Sequence, residues 1–241
     1  MKLLAIELRK EKRTGVMAVL LIAGVFGAAY AFANFALRKD TLLSLPMAPM
    51  DLLLTQLYGV ILILNLFGIV VAACMIYHLE FQGAAIRNMY LLPVSIPGMY
   101  LCKFLILTGT LFIAVALQHL VLAWLGIRAL PDGTFEPGTL VRFAGYAFLT
   151  SMPVLSLMLL AASQFENMWV PLGIGVAGFL SGMALANGGS ALLLAHPFVV
   201  ILQPAVAMRA QPDGTVALAA GVETLLFFAA GLGLAQHRRH G

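Results

Sequence analysis

The chain has 241 residues, a formal net charge of +4 and a mean hydropathy of +0.99. Charged residues make up only 10% of it, against about 25% in a soluble domain, which excludes an ordinary soluble enzyme. The positive charge is too sparse for a nucleic-acid-binding face. We therefore expect membrane lipids, and no nucleic acid, among its partners.

Six apolar stretches, separated by short charged segments, predict six membrane-spanning helices. Each is near or above the roughly 20 residues that cross about 30 Å of hydrocarbon. Backbone groups within lipid must pair inside their own element, so helices are expected. The predicted spans are Val16–Leu37, Leu52–Tyr77, Leu101–Leu125, Val141–Ala162, Met168–Ala186 and Val216–Leu234. The remaining segments are too short for a soluble domain, so a single transmembrane domain over residues 1–241 is expected.

Two shorter elements complete the predicted all-α membrane fold. The first is an N-terminal interfacial helix, whose sides are formed by Met1, Leu4, Ala5 and Leu8 and, opposite, by Lys2, Arg9 and Arg13. The alternative is a basic flank that only sets the topology. The second element is Ser190–Ile201, which is apolar but too short to span, and it predicts a re-entrant or interfacial helix broken at His196-Pro197.

The distribution of basic residues predicts the orientation of the chain. With the N-terminus in the cytoplasm, the inner segments carry nine Lys and Arg residues and the outer segments carry five. An even number of spans then places both termini on the cytoplasmic side.

The connection between the second and third predicted spans is long and partly apolar. A helical stretch is predicted from about Glu80 to Leu92, Pro93 and Pro97 form a stiff turn, and Lys103 opens the third span. An apolar helix outside the membrane needs a surface to pack on, which is either the underside of the bundle or a partner protein.

The same connection resembles that of the type-2 ABC exporter permeases. Those proteins have an acidic residue after the second span, then a Gly, a Leu-Leu-x-Pro-x-Ser-like stretch and a Lys at the start of the third span. The matching residues here are Glu80, Gly83, Leu91-Leu92-Pro93-Val94-Ser95 and Lys103. The order of interfacial helix, six spans and a broken helix before the last is also similar, most of all to small permeases of lantibiotic-immunity and peptide-export systems.

The resemblance implies that this connection is a coupling helix seated in a groove of a separate ATPase subunit. The residues it implicates are Glu80, Gly83, Arg87, Leu92, Pro93, Pro97 and Lys103. Glu80 and Arg87 are expected to anchor the interface, the alternative being a solvated pair at the headgroup boundary. A dimer of ATPase subunits, a second permease, identical or paralogous, and a bacterial cytoplasmic membrane are further implications.

The chain has no G-x-x-x-x-G-K-[ST] phosphate-binding loop. ATP and Mg are therefore expected on the partner ATPase, and no cofactor or metal on this chain. Motifs of metalloproteases and serine hydrolases are also missing, so no catalytic residue is predicted. An integral membrane enzyme is thus the weaker alternative to a transporter.

Three polar side chains within the spans are candidates for a substrate path. Asn65 lies near the middle of the second span, where hydrogen bonding between helices is the alternative role. His119 lies toward the outer end of the third span and suits a proton relay or a hydrogen bond at the interface. Glu223 either contacts substrate or pairs with Arg142 or Arg209.

Small residues in the fifth span indicate a face for close helix packing, within the subunit or across a dimer. They are Gly173, Gly175, Gly178 and Gly182.

Together these features predict the permease subunit of an ATP-binding-cassette exporter for an amphipathic peptide or lipid-like substrate, as in antimicrobial peptide resistance. A hydrophilic ion or sugar would need a polar path, and intramembrane charge is scarce here. The alternative is an ion-coupled secondary transporter, although Glu223 is the only clear intramembrane acid in the sequence.

Overall fold

The computed structural model describes residues 2–81, 95–188 and 190–237, and these ranges are helical, without a strand. The predicted all-α membrane fold is confirmed. Eight helices are numbered here in chain order: α1 (Lys2–Thr14), α2 (Val16–Leu43), α3 (Pro49–Phe81), α4 (Ile96–Ala129), α5 (Pro137–Gln164), α6 (Trp169–Leu185), α7 (Pro197–Val206) and α8 (Gly214–His237). Within α3, the segment Leu52–Gln56 is π-helical.

Five of these helices, α2, α3, α4, α5 and α8, are long and apolar enough to cross a membrane. They contain five of the predicted spans. The remaining span, Met168–Ala186, corresponds to α6, which has 17 residues and therefore a length of about 26 Å. That length is at the lower limit for crossing the hydrocarbon layer.

The segment before the last span is broken at the predicted position. A 3₁₀ turn, Ala191–Ala195, precedes α7, which begins at Pro197 with His196 as its N-cap. Proline is favoured there because the first helical N–H has no intrahelical acceptor to lose. The ten residues of α7 end at Val206, beyond the predicted Ile201, and most of them are buried against α3, α5 and α6.

α3 lies at the centre of the bundle and contacts α2, α4, α5, α6 and α7. α8 lies at the edge and packs mainly on α5 and α4. Large apolar side chains on the outer faces of α2, α4 and α8 are exposed, among them Phe26, Leu37, Phe112, Leu120, Leu218 and Leu225. Such faces are typical of helices that meet lipid or a second subunit.

Contacts between distant residues show how the chain crosses the bundle. The N–H of Ala210, between α7 and α8, donates to Oδ1 of Asp51 at the start of α3, over 2.7 Å. By Ala210 the chain is thus back at the end of the bundle where α3 begins. At the opposite end, the ring of Phe228 on α8 lies 5.9 Å from that of Tyr100, while α1 contacts Lys103. Both ends of the described chain therefore lie at the end of the bundle where α4 begins.

Two turns set the direction of the outer helices. α1 meets α2 at Gly15, whose φ of 79° is in the left-handed region that glycine adopts without strain. Asp213 precedes α8, and its Oδ1 accepts hydrogen bonds from the hydroxyl and the N–H of Thr215. These hydrogen bonds lower the pKa of the Asp213 carboxyl, which keeps a negative charge at the positive end of the helix dipole.

Candidate functional site

The side chain of Lys103 is completely buried and lies at the centre of a cluster of charged groups, here called the charge cluster. Its Nζ atom is 2.7 Å from Oε1 of Glu80, 3.3 Å from Oε2 of Glu7 and 3.5 Å from Oε1 of Glu11. Lys10 completes the cluster, with Nζ 2.5 Å from the same Glu80 oxygen. Carboxylates from α1 and α3 thus meet an ammonium group from α4.

The local helical geometry explains how α1 supplies three of these groups. Glu7 and Glu11 are four residues apart and so lie on one side of the helix, one turn from each other. Lys10 lies beside them, with its Nζ 3.9 Å from Oε2 of Glu7. The hydroxyl of Thr14, one turn further along, donates to Oε2 of Glu11 over 2.9 Å. The buried side of α1 is therefore acidic, which the grouping of its apolar and basic residues did not predict.

Each buried charge of the cluster is compensated by the opposite charges around it. Two ammonium groups stand against three carboxylates, and only Lys10 has substantial exposure. Removing one partner of a buried ion pair typically costs about 3–5 kcal/mol, since the remaining charge is left without compensation. The cluster therefore joins the end of α3, the beginning of α4 and α1 into one unit.

The residues predicted to couple the chain to an ATPase fall into two groups. Glu80 and Lys103 lie together in the charge cluster, and Pro97 lies in the first turn of α4. Gly83, Arg87, Leu92 and Pro93 are outside the described residues. Glu80 is 2% exposed and paired with two lysines of its own chain, so it is not a solvated residue at the headgroup boundary.

Asn65 pairs with Gln118 deep within the bundle. The amide nitrogen of Asn65 donates to Oε1 of Gln118 over 2.9 Å, and that of Gln118 donates to Oδ1 of Asn65 over 2.8 Å. Both side chains are buried, and the reciprocal bonds join α3 to α4. Gln118 also lies close to Gly27 of α2, where a Cβ atom would meet its amide nitrogen at 2.6 Å. A larger residue at position 27 would therefore disturb the pair.

His119 follows Gln118 in the chain, but its side chain does not take part in the amide pair. Its Nδ1 is 2.8 Å from the carbonyl oxygen of Val115, one turn earlier in α4. Its Nε2 is buried without a hydrogen-bond partner among the described residues, and the ring lies near the rings of Tyr58 and Phe143. No hydrogen bond joins Asn65, His119 and Glu223 in the described part of the chain.

The carboxylate of Glu223 is 7% exposed on the side of α8 that faces the bundle. It follows Val216 and Ala220, which pack on Tyr146 of α5. Neither carboxylate oxygen has a hydrogen-bond partner among the described residues. The alternative of an ion pair with Arg142 or Arg209 was wrong for the described residues, because α8 turns Glu223 inward while both arginines are exposed.

A comparison with protein families identifies the class of this molecule. The family model described as an ABC-2 family transporter protein matches residues 3–182. The chain belongs to this family. The match includes α1 to α5, most of α6 and all five residues of the charge cluster. No curated protein and no solved structure matches the chain significantly.

The match confirms the resemblance to the type-2 ABC permeases that was inferred from the connection and the layout of helices. The protein is the membrane subunit of an ABC transporter, and its predicted multi-pass character agrees with the five long apolar helices. Among the described residues of the permease, no group of His, Cys, Asp or Glu could hold a metal ion.

Three of the four glycines of α6 lie against other parts of the same permease, whereas a Cβ atom at Gly173 would meet nothing within 4 Å. A Cβ atom at Gly175 would meet Cγ1 of Val70 on α3 at 2.5 Å. At Gly182 it would meet the Cβ atom of Phe198 at 2.8 Å, and at Gly178 it would collide with the ring of Phe198. These positions let α6 approach α3 and α7 closely, which is a contact within the subunit.

Proposed function

We propose that a separate ABC ATPase drives this permease by docking on the connection between α3 and α4. The observation that supports this proposal is the charge cluster, because Glu80 and Lys103 hold the two ends of that connection together. Membership of a family of ABC transporter membrane subunits supplies the class of partner.

The charge cluster provides a path from the docking site to the rest of the permease. A movement of the connection would act on Glu80 and Lys103, which are buried and resist separation. Glu7 and Glu11 tie Lys103 to α1, so α1 would follow the same movement. α1 leads directly into α2, and α4 packs along α2, so the movement would reach the membrane-spanning part. Rigid-body displacement of packed helices is a common form of such transitions.

In the proposed assembly, two ATPase subunits bind ATP and Mg and serve two permeases, identical or paralogous. The absence of a phosphate-binding loop from this sequence supports separate ATPase subunits. The exposed apolar faces of α2, α4 and α8 offer room for both lipid and a second permease. We place the assembly in a bacterial cytoplasmic membrane with both termini of the permease inside.

The proposed substrate is an amphipathic peptide or lipid-like molecule that is expelled from the membrane. Few charged groups occur within the membrane-spanning helices, which suits a molecule that is already dissolved in lipid. Glu223 is the exception, and its buried carboxylate would meet a cationic group of the substrate. Lantibiotic immunity and resistance to antimicrobial peptides are the roles that such an activity would serve.

Transport by vesicles that contain the permease and its cognate ATPase tests this function. Lys10→Gln removes the ion pairs of Lys10 with Glu80 and Glu7, while both carboxylates keep Lys103 as a partner. We expect this variant to assemble and to hydrolyse ATP, but to move less substrate for each ATP consumed. Arg13→Gln makes the same change of charge on the same helix at an exposed residue that has no ion pair among the described ones, and it should behave as wild type.

Two results would overturn the proposal. The first is full transport by the permease without any ATPase or nucleotide, which would indicate a different energy source. The second is an equal transport yield from Lys10→Gln, Arg13→Gln and wild type, which would remove the charge cluster from the coupling path.

A further inference from the structure

An apolar cavity of about 480 Å³, open to the surface, lies between α1 and α4 beside the charge cluster. Its lining includes Leu4, Leu8, Met17, Leu105, Gly109 and Ile113. From Leu105 to Ile113 it follows about 12 Å of α4, at a rise of 1.5 Å per residue. The cavity is therefore long enough to take a substantial part of an extended hydrocarbon chain.

The described walls of the cavity offer no free polar group to a ligand. Thr110 is the polar residue among them, and its hydroxyl already donates to the carbonyl oxygen of Ile106 over 2.7 Å. Gly109 keeps part of the space open, since a Cβ atom there would meet nothing within 4 Å. Only an apolar ligand would gain from burial at this place.

On the exposed surface of α1 beside the cavity, all the described charged side chains are basic. Glu7 and Glu11, the acids of α1, are buried in the charge cluster. Arg9, Lys12 and Arg13 are exposed. The same helix therefore presents an apolar cavity and a cationic surface without a competing negative charge.

Helical periodicity brings these two features together. Ala5 and Leu8 contribute to the cavity. Arg9 lies four residues after Ala5, and Lys12 lies four residues after Leu8, so both cations are on the same side of α1 as the cavity. A ligand with an apolar chain in the cavity would have its polar end about one turn away from the two cations. An anionic phospholipid has this arrangement, and basic pockets beside membrane helices are typical sites for its headgroup.

We infer that the space between α1 and α4 holds an acyl chain of an anionic phospholipid whose phosphate binds Arg9 and Lys12. This lipid is a resident component that fixes α1 against α4. The lipid is distinct from the transported substrate, and its binding does not require the partner ATPase.

The test measures retention of phosphatidylglycerol and phosphatidylcholine by the full-length permease in mild detergent, using native mass spectrometry and lipid titration. The wild type should retain phosphatidylglycerol in preference to phosphatidylcholine. Arg9→Gln/Lys12→Gln should lower the affinity for phosphatidylglycerol by about fivefold for each cationic side chain removed. Gly109→Leu should abolish the specific retention by filling the cavity.

Two matched variants provide the controls. Arg209→Gln removes an exposed cation far from the cavity, and Gly145→Leu adds the same side chain at another open helical position. Both should bind phosphatidylglycerol as wild type does. Equal retention of the two lipids, unchanged binding by Gly109→Leu, or an equal loss in Arg209→Gln would each overturn the inference. If Gly109→Leu does not fold, the comparison of Arg9→Gln/Lys12→Gln with Arg209→Gln decides the result.

Discussion

The Nζ atom of Lys103 lies 2.7 Å from Oε1 of Glu80, and the two residues stand at opposite ends of the connection between α3 and α4. Both side chains are withdrawn from solvent, and both also contact α1. This ion pair fixes the end of α3 against the beginning of α4. Because both residues also pair with α1, a displacement of Glu80 or Lys103 would act on α1, α3 and α4 together.

Lys103→Met should destabilise the permease by about 3–5 kcal/mol, because it leaves buried carboxylates without their shared cation. Glu80→Gln/Lys103→Met should cost less than the sum of the two single changes, since it removes one charge of each sign. Unfolding of the purified protein in mixed micelles measures these differences. Arg209→Gln, at an exposed position, should remain within about 0.5 kcal/mol of wild type. A stability of Lys103→Met equal to that of wild type would contradict the compact cluster described above.

The reciprocal amide pair predicts a coupling between Asn65 and Gln118. Asn65→Leu or Gln118→Leu alone leaves one buried amide unsatisfied, at a cost of about 1–3 kcal/mol. The double variant removes both amides and should be more stable than the sum of single effects predicts, by about 0.6 to 1.7 kcal/mol. A double-mutant cycle on the free energy of unfolding in micelles gives this value directly. Strict additivity would show that the two amides do not stabilise the folded protein through each other.

The positions of the membrane-spanning helices could be predicted because an apolar run is a local property of the sequence. The ends of these helices could not be predicted in this way. α4 runs from Ile96 to Ala129, beyond the predicted Leu101–Leu125, because a helix continues into the headgroup region where polar residues are tolerated. In α2 the apolar run ends at Leu37. The backbone of the next residue, Arg38, is not helical, and the helix then continues to Leu43.

The residues that join distant helices were harder to predict, because contacts between helices are not a local property of the sequence. Glu80 and Lys103 could be identified through the family pattern, but Glu7 and Glu11, the α1 partners of Lys103, could not. The signal in the sequence was two acids one turn apart within an otherwise basic helix, and it gains meaning only when α1 lies against α4. Glu223 could be recognised as an intramembrane acid. That its carboxylate has no hydrogen-bond partner among the described residues depends on how α8 is rotated about its axis.

The packing of α6 on α7 predicts a severe effect of enlarging Gly182. Gly182→Val would place its Cβ atom 2.9 Å from the backbone of Phe198, which cannot move without displacing α7. We expect a loss of about 1–3 kcal/mol in stability, as is usual for overpacking. Gly173→Val on the same helix meets nothing within 4 Å and should be tolerated. Comparison of their thermal unfolding midpoints checks the prediction, and equal midpoints would contradict the close contact.

The proposed orientation predicts which introduced cysteines a membrane-impermeant maleimide can reach in intact cells. The two native cysteines, Cys74 and Cys102, are buried and should give little background. Asp132→Cys should react from outside, because it lies between α4 and α5 at the end opposite to α1. Lys12→Cys should react only after lysis. Reaction of Lys12→Cys in intact cells would reverse the proposed orientation.

Glu223 predicts a selective defect in the handling of cationic substrates. Its carboxylate is buried on α8 with both oxygens free of hydrogen bonds in the described structure, so a bound cation would satisfy it. Glu223→Gln keeps the shape and removes the charge. In vesicles with the ATPase, we expect several-fold weaker export of a cationic amphipathic peptide, unchanged export of a neutral analogue, and normal assembly and basal ATP hydrolysis. Glu166→Gln, at an exposed acid between α5 and α6, is the matched control and should change none of these values. An equal loss for both peptides, or a complex that does not assemble, would indicate a structural role for the carboxylate instead.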